Sequence, residues 1–329
     1  MEAKQKELTG AALKWIAIIT MFIDHIGAAV LEPYINGEFG AWPDEILGMD
    51  PWMFDSIIRG IGRIAFPIFI FLMVEGFTYT RNRKKYATRL GLFCLISEVP
   101  FDMSFDPSEF DRYRDFFTFK NMDLSYTHQN VFFTLFIGFL TIWILDVIAN
   151  WFEERKMRLK PVGACTPEGF TVDPEDVPTS EEEESNAASD GVILKEVSDS
   201  LGAQNGTPVN SNRIIETLGQ ILLSFLTIAG GMFIAGVLHT DYGSMGVLAI
   251  VTCYIVKKKR GAYVGQMAAP VTVLTLMNFF EGVAFIDLAL VACYRGNKGK
   301  TLGKYFFYIF YPAHLLILGL IHMHLRGAF

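Results

Sequence analysis

The sequence predicts an all-α fold, a polytopic integral membrane bundle of about nine transmembrane helices with a cytoplasmic N-terminus. Of its 329 residues, 51% are hydrophobic and only 19% are charged, which differs strongly from an average soluble domain. The mean hydropathy is positive, at +0.32. Several apolar runs reach the roughly 20 residues that a helix needs to cross about 30 Å of hydrocarbon. We therefore expect a multi-pass protein of the cytoplasmic membrane, with the lipid bilayer as its main surroundings.

Apolar runs of suitable length follow one another along most of the chain. Seven of them are typical of single spans, although the third and the sixth are rather short. A further apolar region, 264–294, is too long for one ordinary helix and is interrupted by "NFFEGV", so we expect two short helices or a re-entrant pair there. The seven runs are 11–31, 57–79, 87–103, 131–152, 214–238, 242–256 and 304–322.

Basic residues predict the orientation, because Lys and Arg collect in short cytoplasmic loops. The segments "TRNRKKYATR", "ERKMRLK", "KKKR" and "RGNKGKTLGK" all fall on one side if the N-terminus is cytoplasmic and region 264–294 crosses twice. This arrangement gives nine spans and an outer C-terminus. If the region crosses once, the count is eight and the last basic segment falls outside, against the rule. Eight and ten spans are therefore the alternatives.

One long segment has a different composition. Residues 160–212, which include "TSEEEESNAASDG", contain few large apolar residues and many Glu, Ser, Asn and Gly. Such a composition predicts disorder, here as an acidic cytoplasmic linker. It separates an N-terminal four-helix membrane part, 1–159, from a C-terminal membrane part, 213–329, that completes one bundle.

The remaining bulk properties exclude or fail to support several classes of function. The net charge of -7 arises largely in the acidic linker and indicates little about the membrane core. The four cysteines have no paired spacing, so neither a disulfide framework nor a zinc site is indicated. Nucleic-acid binding has no support. The N-terminal stretch "MEAKQKELTGAALKW" lacks the features of a cleavable signal peptide, so we expect the first apolar run to be retained.

Ionisable residues inside the predicted spans are the candidates for function, because burying them in lipid is costly. The first span, "IAIITMFIDHIGAAV", contains the adjacent pair Asp24 and His25. In "RGIGRIAFPIF", Arg63 enters the second span from outside and reaches nearly the same depth. Successive residues on a helix point about 100° apart, so Asp24 and His25 cannot both face one atom. One of them should face the chemistry, and the other a supporting partner such as Arg63 or Arg59.

Three further ionisable residues within the spans stand out. Glu98 precedes a proline in "CLISEVPF", Glu75 lies towards the inner end of the second span, and His314 follows Pro312 in the last one. A proline frees a backbone carbonyl and kinks a helix, which admits a ligand or side chain. A hydrogen-bonded packing role is the alternative for each histidine. Four other histidines are weaker candidates: His322 and His324 are predicted at the membrane interface, and His128 and His239 in outer loops.

An ordered set of motifs resembles a known family. The set comprises "LKWIAIITMFIDHIGA", "IRGIGRIAFPIFIFLMVEGFTYTRNRKKYATRL", "ISEVPFDMSF", "NVFFTLFIG", "DYGSMGVLAIVTCY" and "GKYFFYIFYPAHLLIL". Together they are similar to the TraX family of conjugal-transfer membrane proteins. The resemblance implies membership of a wider group of polytopic membrane acyltransferases, with acetyl-CoA as the donor. For the founding type it implies acetylation of the N-terminal amine of a membrane-inserted pilin. The acceptor of this chain stays open between a pilin-like protein, a lipid and a glycan.

Acetyl transfer needs a base for the acceptor's proton and a donor of positive charge for the tetrahedral oxyanion. We expect His25 to be the general base, or alternatively a transiently acetylated nucleophile, because an unperturbed histidine has a pKa near 6.5. Asp24 would orient a ring or an arginine, and Arg63 would anchor a charged group or assist the oxyanion. The candidates for substrate binding are Arg59, Glu98, Tyr308 and His314.

The donor also carries phosphates that need cations. The candidates for binding the coenzyme are Arg81, Arg83, Lys84, Lys85 and Arg89, although positive-inside topology explains the same residues without a ligand. Two other classes compete with the acyltransferase. Buried ionisable groups also suit a proton-coupled transporter, and in a non-catalytic membrane scaffold the ion pairs would be structural. Nothing in the sequence specifies an oligomeric state.

Overall fold

The computed structural model describes residues 7–40, 45–105, 128–158, 208–259, 262–300, 303 and 305–327. These parts of the chain are helical, and they contain isolated β-bridges but no named strand. Contacts divide the chain into two units, one of Met1–Leu145 with Phe225–Phe329 and the other of Asp146–Ser224. Most of the predicted linker, 160–207, lies outside the described residues.

The helices of the described residues follow one another in chain order. Two of the segments are not α-helical: a π-helical segment, Gly27–Leu31, and a 3-10 helix, Phe279–Phe285. The α-helices are α1 Gly10–Ile26, α2 Glu32–Ile35, α3 Pro51–Gly62, α4 Ala65–Tyr79, α5 Arg83–Phe105, α6 Val131–Arg158, α7 Pro208–Val237, α8 Gly243–Lys258, α9 Tyr263–Met277, α10 Ile286–Ala292 and α11 Phe306–Leu325.

In the described ranges, five helical stretches are long and apolar enough to cross a membrane. The all-α membrane fold is thereby supported, while nine spans and the orientation stay predictions. The shorter predicted runs 87–103 and 242–256 are helical within α5 and α8. The five stretches are Gly10–Ile35, Pro51–Tyr79, Val131–Met157, Arg213–Val237 and Phe306–Leu325.

The second predicted span is one helix in the sequence analysis but two in the structure. It begins earlier, at Pro51, where the Asp50 side chain caps the first turn by accepting from the backbone of Trp52 at 3.0 Å. Arg63 and Ile64 then form a turn between α3 and α4. Two glycines in "RGIGR" precede this turn, and glycine is a poor helix former. The break leaves Arg63 at a helix end.

Region 264–294 is interrupted where the sequence predicts it. Helix α9 ends at Met277, and Asn278 takes an extended conformation and caps the following 3-10 helix by accepting from the backbone of Phe280 at 3.0 Å. Helix α10 continues from Ile286. The predicted interruption at "NFFEGV" is therefore confirmed.

The larger unit has its core around α4. Phe71 and Phe77 of this helix are almost fully buried, as is Phe139 of α6. Helix α11 packs most extensively against α5, and α1 packs against α3 and α4. In the smaller unit, the Arg155 side chain donates to Glu216 at 2.7 Å and joins α6 to α7. The packing around α1 positions the groups described next.

Candidate functional site

Adjacent residues on α1 have different partners. The His25 ring lies nearly parallel to the His314 ring of α11, with His25 Nδ1 2.7 Å from His314 Nε2. The carboxylate of Asp24 faces α3 instead, where it pairs with Arg59 at 2.8 Å and with Arg63 at 3.2 Å. The structure thus brings together five of the residues selected from the sequence.

Hydrogen bonding determines which nitrogen of each ring carries the proton. Nδ1 of His314 lies 2.8 Å from the carbonyl oxygen of Phe310, which only accepts, so this nitrogen is the donor. Nε2 of a neutral His314 therefore accepts, and His25 must donate from Nδ1. The lone pair of His25 consequently lies on Nε2. Within the described part of the chain, His25 Nε2 has no hydrogen-bond partner.

Charged groups alternate beside the histidine pair. Arg63 donates from Nη2 to Asp24, from Nη1 to Glu281 at 2.8 Å, and from Nε to the carbonyl oxygen of Arg59 at 3.2 Å. Arg59 meets Asp24 through Nη1 alone. Glu281 is only 1% exposed, so its charge depends on Arg63 for compensation. The result is a network of two carboxylates and two arginines, in which Glu281 is buried and the other three side chains are half-buried.

Glycines allow the helices to approach closely enough for this network. A Cβ atom at Gly62 of α3 would overlap the side chain of Asp24. A Cβ atom at Gly27 would lie 3.1 Å from Arg59 Cδ. Because both sites have room only for hydrogen, glycine at these positions permits the contact between α1 and α3.

Two residues after His25, the backbone changes from α-helical to π-helical hydrogen bonding. The π-helical segment begins at Gly27, and its Ala29 carbonyl oxygen accepts from His322 Nδ1 at 2.8 Å. His322 is 3% exposed and thus packed inside the protein, while its predicted depth at the membrane interface stays a prediction. Helix α11 extends to Leu325, further than the predicted span. His314 and His322 thus both attach α11 to the first helical stretch.

The network opens into a cavity of about 250 Å³, here called the polar cavity. Beyond the groups already described, it is lined by His128, which the sequence analysis named only as a weaker candidate, and by a carboxylate and a tyrosine that were not selected. His128 Nε2 lies 3.5 Å from Asp241 Oδ1, and a hydrogen bond with Asp241 raises the pKa of His128 above its usual value. The lining comprises Asp24, His25, Arg59, Arg63, His128, Asp241 and Tyr242 together with apolar residues such as Met21 and Phe69.

Two further cavities continue from the polar cavity. The apolar cavity, about 210 Å³, shares Met21, Phe69 and Val131 with it. The basic cavity, about 870 Å³, shares Lys14, Leu72, Gly76 and Tyr86 with the apolar cavity. Because the shared linings put the three cavities side by side, they form a series. Helix α1 contributes Gly10 and Lys14 at one end of this series and His25 at the other, where Ala28 of the π-helical segment also lines the cavity.

The other predicted residues have different surroundings. Glu98 accepts from the backbone and side chain of Asn130, which itself caps α6 by accepting from the backbone of Phe132. Glu98 therefore holds the start of α6 and does not line the polar cavity. Tyr308 lines the apolar cavity. Glu75 lines the basic cavity and pairs with Lys257 at 2.5 Å.

The five predicted coenzyme-binding cations also separate. Arg81 and Arg89 line the basic cavity. Arg83 lies over the ring of Phe77, 4.2 Å from its centroid, while Lys84 and Lys85 are exposed. Of the five predicted cations, therefore, Arg81 and Arg89 line a cavity that could hold the coenzyme, and the other three do not.

Sequence reasoning missed Glu281, Tyr242 and Asp241. The signal for Glu281 was present, since it is the acidic residue of "NFFEGV" in an otherwise apolar region. Tyr242 stacks on Phe66 with ring centroids 3.7 Å apart. Tyr242 lies at the start of the predicted span 242–256, and a tyrosine at a span end does not by itself indicate a functional site.

Long apolar helices around a network of ionisable groups define a multi-pass integral membrane protein. A family model described as TraX protein matches residues 9–155 and 210–322. The chain belongs to the TraX family, and the resemblance found in the sequence is confirmed. The unmatched range 156–209 falls largely within the predicted linker.

One curated relative is the probable fimbrial assembly protein FimC, serogroup H1, of Dichelobacter nodosus. It is 31% identical over 134 residues, or 40% of this chain. The match covers 44% of the relative, so the chain spans less than half of that protein's length. No solved structure is significantly similar to this chain.

Proposed function

We propose that this TraX-family protein is a membrane acyltransferase that moves an acetyl group from acetyl-CoA to an amine or hydroxyl of a membrane-associated or extracytoplasmic acceptor. The observation that carries the proposal is that His25, whose Nε2 has no hydrogen-bond partner among the described residues, lines a cavity that also holds two arginines. A histidine fixed in one tautomer by a second group is the arrangement that general-base catalysis requires.

His25 Nε2 takes the proton of the acceptor's hydroxyl or amine while that oxygen or nitrogen attacks the acetyl carbonyl carbon. The carbon–sulfur bond of the tetrahedral intermediate then breaks, and the proton passes from His25 to the leaving thiolate. The products are the acetylated acceptor and free coenzyme A. His314 holds the His25 ring and disperses the positive charge that His25 acquires.

The two arginines take different roles. Arg63 is held by three described partners and serves to position Asp24 and Arg59. In the described structure Arg59 contacts Asp24 through Nη1 only, so its other nitrogens are available to the oxyanion of the intermediate. This assignment gives Arg59 the role that the sequence analysis gave to Arg63.

The series of cavities supports transfer across the membrane. Lys14 and His25 are separated by about 16 Å along α1, which at 1.5 Å per residue is half of a membrane span. The coenzyme would bind at the basic cavity on the cytoplasmic side, and its flexible pantetheine arm would lie in the apolar cavity. We infer the same topology as from the sequence, with nine spans in the cytoplasmic membrane. The fimbrial relative favours a pilin-like acceptor.

Turnover of labelled acetyl-CoA by detergent-purified protein tests the proposal. We expect wild type to release or transfer the label and His25→Gln to lose activity by roughly 100-fold or more. His324→Gln, at an exposed position on α11, is the matched control and should keep full activity. A folded wild-type protein that neither binds nor consumes acetyl-CoA would contradict the proposal and favour a transporter or a scaffold.

A further inference from the structure

The basic cavity has an unusual charge balance for a space between membrane helices. Among the described residues that line it, four are cations and Glu75 is the only acidic one, and Glu75 is already paired with Lys257 at 2.5 Å. The four cations are Lys14, Arg81, Arg89 and Lys298. Such a cavity is complementary to an anion with several charges.

Two of the four cations are close enough to repel each other. Lys14 and Lys298 interact unfavourably, although 284 positions separate them in the chain. Lys14 also lies over the ring of Phe307, 5.3 Å from its centroid. Lys14 lies in the second turn of α1, within the first predicted span, where an ammonium group is costly unless it has a partner. A phosphate between the two ammonium groups would relieve the repulsion.

A glycine-containing loop brings Lys298 to this position. Gly296 and Gly299 have φ values of +82° and +70°, which other residues rarely adopt. The carbonyl oxygens of Asn297 and Lys298 accept from the first amides of α1, at 2.8 and 2.9 Å. A Cβ atom at Gly299 would lie 2.5 Å from Thr9 Oγ1, so glycine is required for this approach.

The loop around Gly296 and Gly299 therefore serves to place the Lys298 side chain at the basic cavity. The first amides of α1 are occupied by the loop carbonyls and by Thr9, which leaves the anion to the side chains. Lys298 itself is exposed, and so remains accessible from outside the bundle.

We infer that Lys14, Lys298, Arg81 and Arg89 bind the phosphate groups of the coenzyme's nucleotide, with the loop 294–299 as the element that assembles the site. The inference rests on the proposed function. It adds two lysines that the sequence did not select, and it assigns no phosphate contact to Arg83, Lys84 or Lys85. The shared chemistry is a phosphate ester, which an anionic lipid headgroup also carries.

Binding of labelled coenzyme A to the full chain in phosphatidylcholine nanodiscs tests the inference. We expect the Kd to rise tenfold or more in Lys14→Gln and in Lys298→Gln, since each loses a charge-assisted contact. Adenosine 3′,5′-bisphosphate should compete with coenzyme A in wild type. Lys259→Gln, at an exposed position directly after α8 and outside the lining of the basic cavity, is the matched control and should bind as wild type does.

Three results separate the possible failures. If wild type does not bind coenzyme A at all, the proposed function fails. If wild type binds and turns over the donor but Lys14→Gln and Lys298→Gln bind equally well, only this inference fails. If phosphatidylglycerol displaces coenzyme A from wild type and not from Lys298→Gln, the site belongs to a lipid headgroup, and the assignment to the coenzyme is overturned. Size-exclusion profiles and Tm values establish that each variant is folded.

Discussion

His25 donates from Nδ1 to Nε2 of His314 across 2.7 Å, although 289 positions separate the two residues in the chain. The bond joins the first helix to the last. It also orients the His25 ring, since His314 is itself fixed by the Phe310 carbonyl oxygen. The catalytic competence of His25 should therefore depend on an acceptor at position 314.

Replacement of His314 tests this dependence. We expect His314→Ala to lower kcat on the order of 100-fold, because the His25 ring is no longer held in one orientation. His314→Gln retains an acceptor oxygen at that position and should keep a larger share of the activity. The measurement is kcat and its pH profile in all three proteins. Equal activity of the two variants would contradict an orienting hydrogen bond.

Gly62 should tolerate no side chain. Gly62→Ala places a Cβ atom against Asp24 and should separate α1 from α3, at a cost of about 1–3 kcal/mol of stability. Activity should fall as well, since Asp24 and the arginines lose their alignment. Gly60→Ala is the matched control on the same helix, because its Cβ atom would lie 3.5 Å from Phe280, an ordinary contact. A Gly62→Ala protein with the Tm and kcat of the control would show that the close approach is unimportant.

Part of the site could be predicted from the sequence because it depends on local geometry. Asp24 and His25 are neighbours on one helix, so their different directions follow from helical geometry alone. Arg59 and Arg63 lie one turn apart, and their depth follows from the same rise per residue. Helix periodicity and the cost of buried charge were sufficient for these four residues.

The rest depends on contacts between distant parts of the chain. His314 was selected as a candidate, but its bond to His25 depends on the docking of α11, which local patterns do not specify. Glu281 reaches Arg63 from a 3-10 helix over 218 positions. Glu98 resembled a site residue because it is a buried carboxylate, and its structural partner Asn130 lies just before another helix, α6. The turn at Arg63 was missed because the apolar run continues through it.

Glu281 should contribute to the stability of the fold as well as to the position of Arg63. Removing one partner of a buried ion pair leaves an uncompensated charge, which costs about 3–5 kcal/mol. We therefore expect Glu281→Ala to lower the Tm in detergent strongly, and Glu281→Gln to lower it less because the amide oxygen still accepts from Arg63. Asp50→Ala, which removes only an exposed helix cap, provides the comparison. Unchanged stability of Glu281→Ala would mean that Arg63 does not need this partner.

The pair of His128 and Asp241 should make stability depend on pH. The pKa of His128 is raised in the folded protein by its hydrogen bond with Asp241, so the pair stabilises the fold below about pH 6.5 and loses this effect as the pH rises through the folded-state pKa. The contribution is about 1 kcal/mol or less, because the two side chains are 47% and 36% exposed. Asp241→Asn should therefore lower the Tm more at pH 5.5 than at pH 8. If the Tm of Asp241→Asn differs from that of wild type by the same amount at both pH values, the His128–Asp241 pair does not link stability to pH.

The ends of the cavity series should open on opposite sides of the membrane. Lys298 lies beside the start of α1, and Asp241 lines the polar cavity with residues near the end of the same helix. If α1 crosses once, a cysteine at 241 should react with an impermeant maleimide in intact cells, and one at 298 only after permeabilisation. The background needs Cys165 and Cys293 replaced by serine, since Cys94 and Cys253 are buried.

This prediction depends on the contacts at the two ends of α1. It fits nine spans, whereas eight spans would put the basic segment around position 298 outside, against the positive-inside rule. Labelling of both positions from the same side would therefore place α1 along the membrane and not across it. In that case the three cavities would not connect the two faces, and a donor bound beside Lys298 would have no route through the bilayer to His25. Labelling from opposite sides would show that a cytoplasmic donor and an outer acceptor can meet at His25.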